Sequence, residues 1–400
     1  MAVMTPTRAK SNNRLLRIWR HQESRAVIIQ IVTMAVVLAL IALIARNVAI
    51  NLAAIGKEFS FGFLLWPAAY DITFSPFIEY TNQSTHLRAA AVGILNTLLV
   101  ASCGIVLASV LGFTLGILRL SSNWLINRIA YVFVEFVRNV PILIHILALY
   151  SLIVVILPKP KNSKVFFNET FFLSNRGFYV PSPVFESGAT IVGVVFIVAV
   201  VAVLLFRRWA RRVQNQTGKI YPVFWISAAI VVGGTGVAFF ATGMPLSWDV
   251  PALKGFNFKG GMALKPEFLA LWIALSYYTA CFIAEIVRAG ILAVSHGQTE
   301  AAHAMGLRPN RTLQLIVIPQ ALRVIVPPLC SQYLNLTKNS SLAIAIGYMD
   351  ITATIGGISL MQTGKEMETM MIVMGFYLAI SLIISAFMNW FNQRIKMTER

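Results

Sequence analysis

Charge is what this chain has least of. Asp and Glu total 15 in 400 residues, and charged side chains of both signs make up 12%, about half the ~25% usual for a soluble domain. A water-exposed globular surface is thereby excluded. Cysteine is also scarce: Cys103, Cys281 and Cys330 are the only three, each inside an apolar run. That excludes a disulfide framework and a thiolate metal centre, and leaves them as small buried hydrophobes. No phosphate-binding loop of the GxxxxGK[ST] type occurs, because Gly364-Lys365 lacks both the earlier glycine and the following Ser or Thr. The five histidines form no zinc pattern, and no nucleophile elbow or kinase set is present. His145 and His303 are isolated and read as structural. No catalytic residue, no metal and no cofactor is expected in this chain.

What is present is hydrophobic sequence, 58% of the chain. The apolar runs predict an all-α polytopic membrane protein of about eight transmembrane helices, near 26–45, 89–118, 129–157, 189–206, 221–243, 267–289, 320–346 and 369–391. The first run is longer than a signal-peptide core and is followed by no convincing cleavage site, so it reads as an uncleaved anchor. Gly112 and Gly116, four apart in the second run, predict a close helix contact. Pro141 in the third run predicts a kink. The fourth and fifth runs hold no ionisable residue and read as lipid-facing packing helices. The intervening segments 158–188 and 244–266 read as polar loops, as does the segment carrying Asp350, Lys365, Glu366 and Glu368.

The formal net charge of +18 invites a nucleic-acid reading, but placement decides otherwise. With the N-terminus inside, most of the 33 Lys and Arg fall in the segments assigned to the cytoplasm, including Arg207, Arg208, Arg211 and Arg212. The only carboxylates assigned there are Glu23, Glu300 and Glu399. This is the positive-inside signature of a multi-pass protein with both termini cytoplasmic. No nucleic-acid partner is expected; the surrounding partner is the lipid bilayer.

Two groups of residues stand out. The first is the interval Gly297–Pro319, GQTEAAHAMGLRPNRTLQLIVIP, on the cytoplasmic side. Glu300 to Met305 is built of helix formers, Gly306 sits where a left-handed turn would end that helix, and Thr312–Ile318 resumes a helical apolar pattern before Pro319. The interval therefore reads as a helix–turn–helix on the membrane surface. The second group is polar residues inside apolar runs, where they face partners or a cavity: Asn96, Thr97, Glu135, Arg138, Asn139, Glu285, Asn335, Lys338, Asn339, Ser340 and Ser341. Glu135 and Arg138, three apart, share a helix face and predict an ion pair. Interhelical hydrogen bonding and a substrate-facing lining are both open for Asn335, Lys338 and Asn339.

The interval at 300–319 resembles the "EAA" loop of ABC-importer permeases: Glu300-Ala301-Ala302, three residues, Gly306, nine residues, Ile316, one residue, Ile318-Pro319, with Ile318 where the family pattern has Leu. GILNTLLVA (93–101), VEFVRNVPIL (134–143), AEIVRAGILAVSHGQTEAA (284–302), PQALRVIVPPL (319–329) and YLNLTKNSSLAIAIGY (333–348) resemble the polar amino-acid branch (His/Glu/Gln/Arg/opine), closest to the Q-type permease of the general L-amino-acid transport system. The resemblance implies a five-helix type I importer core in the bacterial inner membrane. It implies a basic N-terminus (1–25), an extra helix (26–45), a periplasmic segment (46–88), a first core part (88–157), an insertion with two helices (158–265), a second core part (266–392) with its coupling loop (290–319), and a tail (393–400). It further implies a second homologous permease, two ABC ATPase subunits that bind the ATP, a periplasmic amino-acid-binding protein, and an L-amino-acid substrate. Glu300, Ala301, Ala302, Gly306, Ile316, Ile318 and Pro319 then become ATPase-coupling residues. The alternative is a stand-alone ion-coupled secondary transporter or channel.

Overall fold

The computed structural model describes residues 22–167 and 169–395. The basic N-terminus and the tail expected from sequence lie largely outside them. Helix α1 (Gln22–Ala54) precedes α2 (His86–Leu118), α3 (Trp124–Asn139) and α4 (Ile142–Ile156). Then come α5 (Ala189–Thr217), α6 (Val223–Ala241), α7 (Pro266–Leu292), α8 (His296–Ala304) and α9 (Pro309–Ile346). A wide-turned segment, α10 (Thr352–Ser359, continued by Leu360–Thr363), leads to α11 (Glu366–Ile395). Among the described residues seven helices are long and apolar enough to span a membrane, and the α3–α4 pair makes an eighth if counted as one bent span.

Helix α7 is the axis of the core. Leu271, Leu275, Ile283 and Val287 along it are almost fully buried. On one side α2 approaches closely enough that a Cβ on Gly112 would lie 2.6 Å from the Ile283 side chain, and one on Gly116 2.7 Å from Val287. The four-residue glycine spacing thus buries a backbone-to-side-chain contact, as its sequence predicts. On the other side Gly290 meets Ile325 of α9. Helices α5 and α6 bury little; most of their large side chains, such as Ile197, Leu204 and Phe240, are exposed.

The run at 129–157 is not one helix. It is α3 and α4, bent by 103°. Pro141 has no N–H to continue the ladder, and it holds Val140 extended at φ −103°, ψ 132°. The Val137 carbonyl, four residues before Pro141, loses its helical donor. His145 replaces it, with Nε2 3.2 Å from Val137 O and Nδ1 2.8 Å from the Tyr277 hydroxyl. In the neutral ring Nε2 donates, because a carbonyl only accepts, and Nδ1 accepts from the tyrosine. His145 therefore fixes the corner onto α7. Helix α3 buries Val134 and Val137 against Cys281 and Ala284, buries Ala130 as well, and exposes Leu125, Ile129, Val132 and Phe136.

A second departure concerns the polar loops 158–188 and 244–266, which carry strands. β1 (Lys164–Phe166), β2 (Phe171–Ser174) and β3 (Gly177–Val180) come from the first; β8 (Met262–Leu264) comes from the second. They form one antiparallel sheet ordered β1-β2-β3-β8, with Phe178 opposite Leu264. β4 (Ser182–Phe185) pairs with β5 (Leu246–Asp249), and β6 (Ala252–Lys254) with β7 (Asn257–Lys259). Phe172 and Tyr179 pack on Phe258 at 4.6 and 4.5 Å.

The loop at 350–368 is likewise ordered. Asp350 is fully buried and Glu368 is 3% exposed. Asp350 accepts from the Ala353 N–H and the Tyr377 hydroxyl, and Glu368 accepts from the Ser60 N–H at 2.8 Å. Lys57 pairs with Glu366 at 2.9 Å. These contacts tie the segment after α1 to the start of α11.

Candidate functional site: a surface loop, an ion cluster and a polar cleft

The loop interval forms its helix where the sequence places it. α8 ends at Gly306, whose φ is +78°. The Leu307 N–H donates to Ala302 O at 3.1 Å and the Gly306 N–H to His303 O at 2.9 Å, the double closure of a Schellman turn. A Cβ on Gly306 would meet nothing within 4 Å, so only its backbone angle calls for glycine. Ala302 is 1% exposed and anchors α8 inward. Glu300 and Ala301 face outward, Glu300 with its only polar partner among the described residues in His296 at 3.0 Å. Met305 is 74% and Leu315 61% exposed. The loop thus offers a small, mixed apolar and acidic surface, Glu300 from α8, Met305 from its end and Leu315 from the start of α9.

One expectation here is corrected. The run read from sequence as 320–346, just after Pro319, starts earlier, and Pro319 lies inside the span and not at its start. The helix runs unbroken from Pro309 to Ile346, and the proline is accommodated by a π-turn over Leu313–Val317. The wider turn takes up the missing hydrogen bond and the ring's clash with the preceding turn. Ile316 is half-buried and Ile318 exposed. The second half of the surface loop, from Pro309, is consequently one continuous rod with the membrane part of α9, and α8 joins that rod through the Gly306 turn.

Between the loop and the membrane interior lies an ion cluster. Glu285 on α7 pairs with Arg119 at the end of α2, with Arg288 at 2.8 Å and with Arg138 of α3 at 3.9 Å. Glu135 pairs with Arg138 at 3.7 Å, as its spacing predicts. Arg138 also lies 5.2 Å over the Phe282 ring, and Arg119 5.3 Å over Tyr131. Three guanidiniums and two carboxylates thereby join α2, α3 and α7. Arg119 did not stand out in the sequence, where it reads as a loop residue; its partner is 166 positions away, and no local pattern announces the pair.

Beside this cluster is a cleft of about 250 Å³, lined by Tyr278, Thr279 and Phe282 of α7 and by Gln332, Asn335 and Asn339 of α9. Of the polar residues singled out above, Asn335 and Asn339 line it, and exposed Lys338 neighbours Asn339 on α9. Others sit elsewhere. Asn96 and Thr97 are fully buried. Asn96 donates to Phe74 O and Met349 O, and Thr97 Oγ1 accepts from the Ile351 N–H, so both hold α2 to the segment before α10. Ser340 and Ser341 donate to Thr337 O and Lys338 O, and Asn139 donates to Glu135 O. These side chains serve the backbone that carries them.

Residues 205–397 match the family described as binding-protein-dependent transport system inner membrane component. The chain is 46% identical over 376 residues to the general L-amino acid transport system permease protein AapQ of Rhizobium johnstonii, covering 94% of this chain and 93% of that one. It is 45% identical to the putative amino-acid ABC transporter permease protein YhdX of Escherichia coli, covering 94% and 95%. It is 43% identical over 406 residues to the glutamate/glutamine/aspartate/asparagine transport system permease protein BztB of Rhodobacter capsulatus, again covering 94% and 95%. Nearly full-length identity of this order, on a multi-helix membrane core with the motif-bearing surface loop, means that the chain belongs to the inner-membrane permease subunits of binding-protein-dependent ABC transport systems.

Proposed function

We propose that this chain is one of two homologous permeases that together form the transmembrane pathway of an ATP-driven importer for L-amino acids. The observation that carries the reading is the continuity of α8, its glycine turn and α9: the helix that starts at the surface loop is the helix that presents Asn335 and Asn339 to the cleft. The names of the relatives support the substrate class. In this reading α8 seats in a groove of a partner ATPase, as a helix does in any apolar groove, and ATP binds to that partner. Closure of two ATPases moves α8, and the rod passes the movement to the pathway face. The second permease supplies the other wall of the cleft, and a periplasmic binding protein delivers the amino acid.

The test is uptake by the co-purified complex in proteoliposomes. Uptake of L-amino acids that requires both internal ATP and a soluble binding protein is the expected result. Uptake driven by an ion gradient without ATP would replace the proposal with a stand-alone secondary transporter.

A further inference from the structure

At the opposite end of α7 from the surface loop lies a second cavity, of about 440 Å³, within the size range of small-molecule sites. The folding of the two strand-bearing loops creates it. Asn175 and Arg176 at the β2–β3 turn and Tyr179 on β3 come from the first loop; Asn257 and Lys265 come from the second. Tyr150 of α4, Glu267 in the first turn of α7, and Thr73 complete the polar lining.

Its chemistry is mixed in sign. Arg176 and Lys265 bring two positive charges and Glu267 one negative charge to one cavity. Among the described residues none of the three forms an ion pair. Among the described residues Glu267's side chain accepts only a long bond, 3.4 Å, from the Tyr150 hydroxyl. Asn175 Oδ1 is buried and accepts no hydrogen bond among the described residues, which leaves an acceptor in want of a donor. The floor is held in place: Tyr179 donates to Asn257 Oδ1 at 3.1 Å, and the Asn175 N–H donates to Pro158 O at 2.8 Å.

We infer that this cavity binds a free α-amino acid with an acidic side chain. An ammonium group has three donors, and Glu267 and Asn175 Oδ1 are acceptors with capacity to spare. The two carboxylates of such a ligand match Arg176 and Lys265, charge-assisted partners of the stronger kind. Cavity and ligand together are then neutral, because the lining carries one net positive charge and the ligand one net negative charge. The site is separate from the cleft on α7 and α9: Thr279 lies twelve residues beyond Glu267, about 18 Å along the helix. The inference rests on the amino-acid reading above and adds to it an outer reception site built from the inserted loops.

The experiment uses the full complex in membrane vesicles without binding protein. Thr73→Cys is exposed at the cavity rim, and its modification by an impermeant maleimide is followed against the unmutated chain as background. L-Glutamate is expected to slow modification several-fold, whereas glutarate, which lacks the ammonium, and L-lysine leave the rate unchanged. Glu267→Gln and, separately, Arg176→Gln should each abolish the protection; Lys265→Gln stands in if either variant fails to accumulate. An unchanged rate with L-glutamate, equal protection by glutarate, or protection that survives these charge variants would overturn the inference. ATP- and binding-protein-dependent uptake is measured on the same vesicles. Intact uptake without protection removes this site alone, whereas absent uptake with intact protection removes the importer reading and leaves the site standing.

Discussion

Gly306 and Glu285 carry the sharpest consequences for single residues. Gly306 holds φ +78° in open space, so a substitution there acts through the backbone. A β-branched residue in the left-handed region costs at least about 1–2 kcal/mol, whereas Asn visits that region readily. Gly306→Val should therefore lower uptake several-fold with the protein still in the membrane, and Gly306→Asn should keep most of it. Equal uptake in the two variants would detach the turn from coupling. Glu285 is the shared partner of three arginines, one of which, Arg119, has a side chain only 6% exposed. Glu285→Gln strands that charge, at a cost of about 3 kcal/mol, the low end for breaking a buried pair because Glu285 itself is partly open. Glu135→Gln touches only a half-open pair, worth about 0–1 kcal/mol. Thermal unfolding of the purified complex should fall clearly for the first and barely for the second. The loop residues were legible because their spacing is local and fixed. Arg119 was not, and Asn96 and Thr97, which the sequence offers as candidate pathway residues, have hydrogen-bond partners that only the fold reveals.

Elements were legible wherever one physical rule dominates. Long uncharged runs gave the membrane helices, and Gly112 with Gly116 marked the face of α2 that meets α7. A bulky residue at Gly116 must displace Val287, the kind of overpacking that costs about 1–3 kcal/mol. Gly116→Leu should cut the yield of monodisperse complex in size-exclusion chromatography. Gly375→Leu on α11, where a Cβ meets nothing within 4 Å, should leave it unchanged, and equal losses would show that the α2–α7 contact is not special. Pro141 announced a kink but not its 103° size; His145 on α4 and Tyr277 on α7, which pin the corner, are 132 positions apart and meet only in the fold. Pro319 misled in the other direction, because a π-turn lets the helix pass through it. The strands were hidden because each is three or four residues long and the central sheet joins segments on either side of two membrane helices. No window of sequence holds such a pairing.

At the scale of the molecule, the charge pattern and the fold constrain the same quantity, which side each segment faces. Pairing of β3 with β8 places 158–188 and 244–265 on one side. Lys57 with Glu366, and Ser60 with Glu368, place the segment after α1 beside the start of α11. Helix α7 begins at the sheet and ends next to α8, so the loop with Glu300 belongs to the far side. The basic stretch Arg207–Arg212 lies toward the end of α5 away from the sheet, where the positive-inside rule puts cytoplasm. We propose on these grounds that α8 and both termini are cytoplasmic and the sheet periplasmic. A periplasm-dependent alkaline phosphatase inserted after Lys254 should then be active, and one inserted after Arg308 inactive. A fluorescent protein that matures only in the cytoplasm should light up when fused after Ile395. The reverse pattern would invert the whole assignment at once, because the paired strands do not allow one loop to change sides without the other.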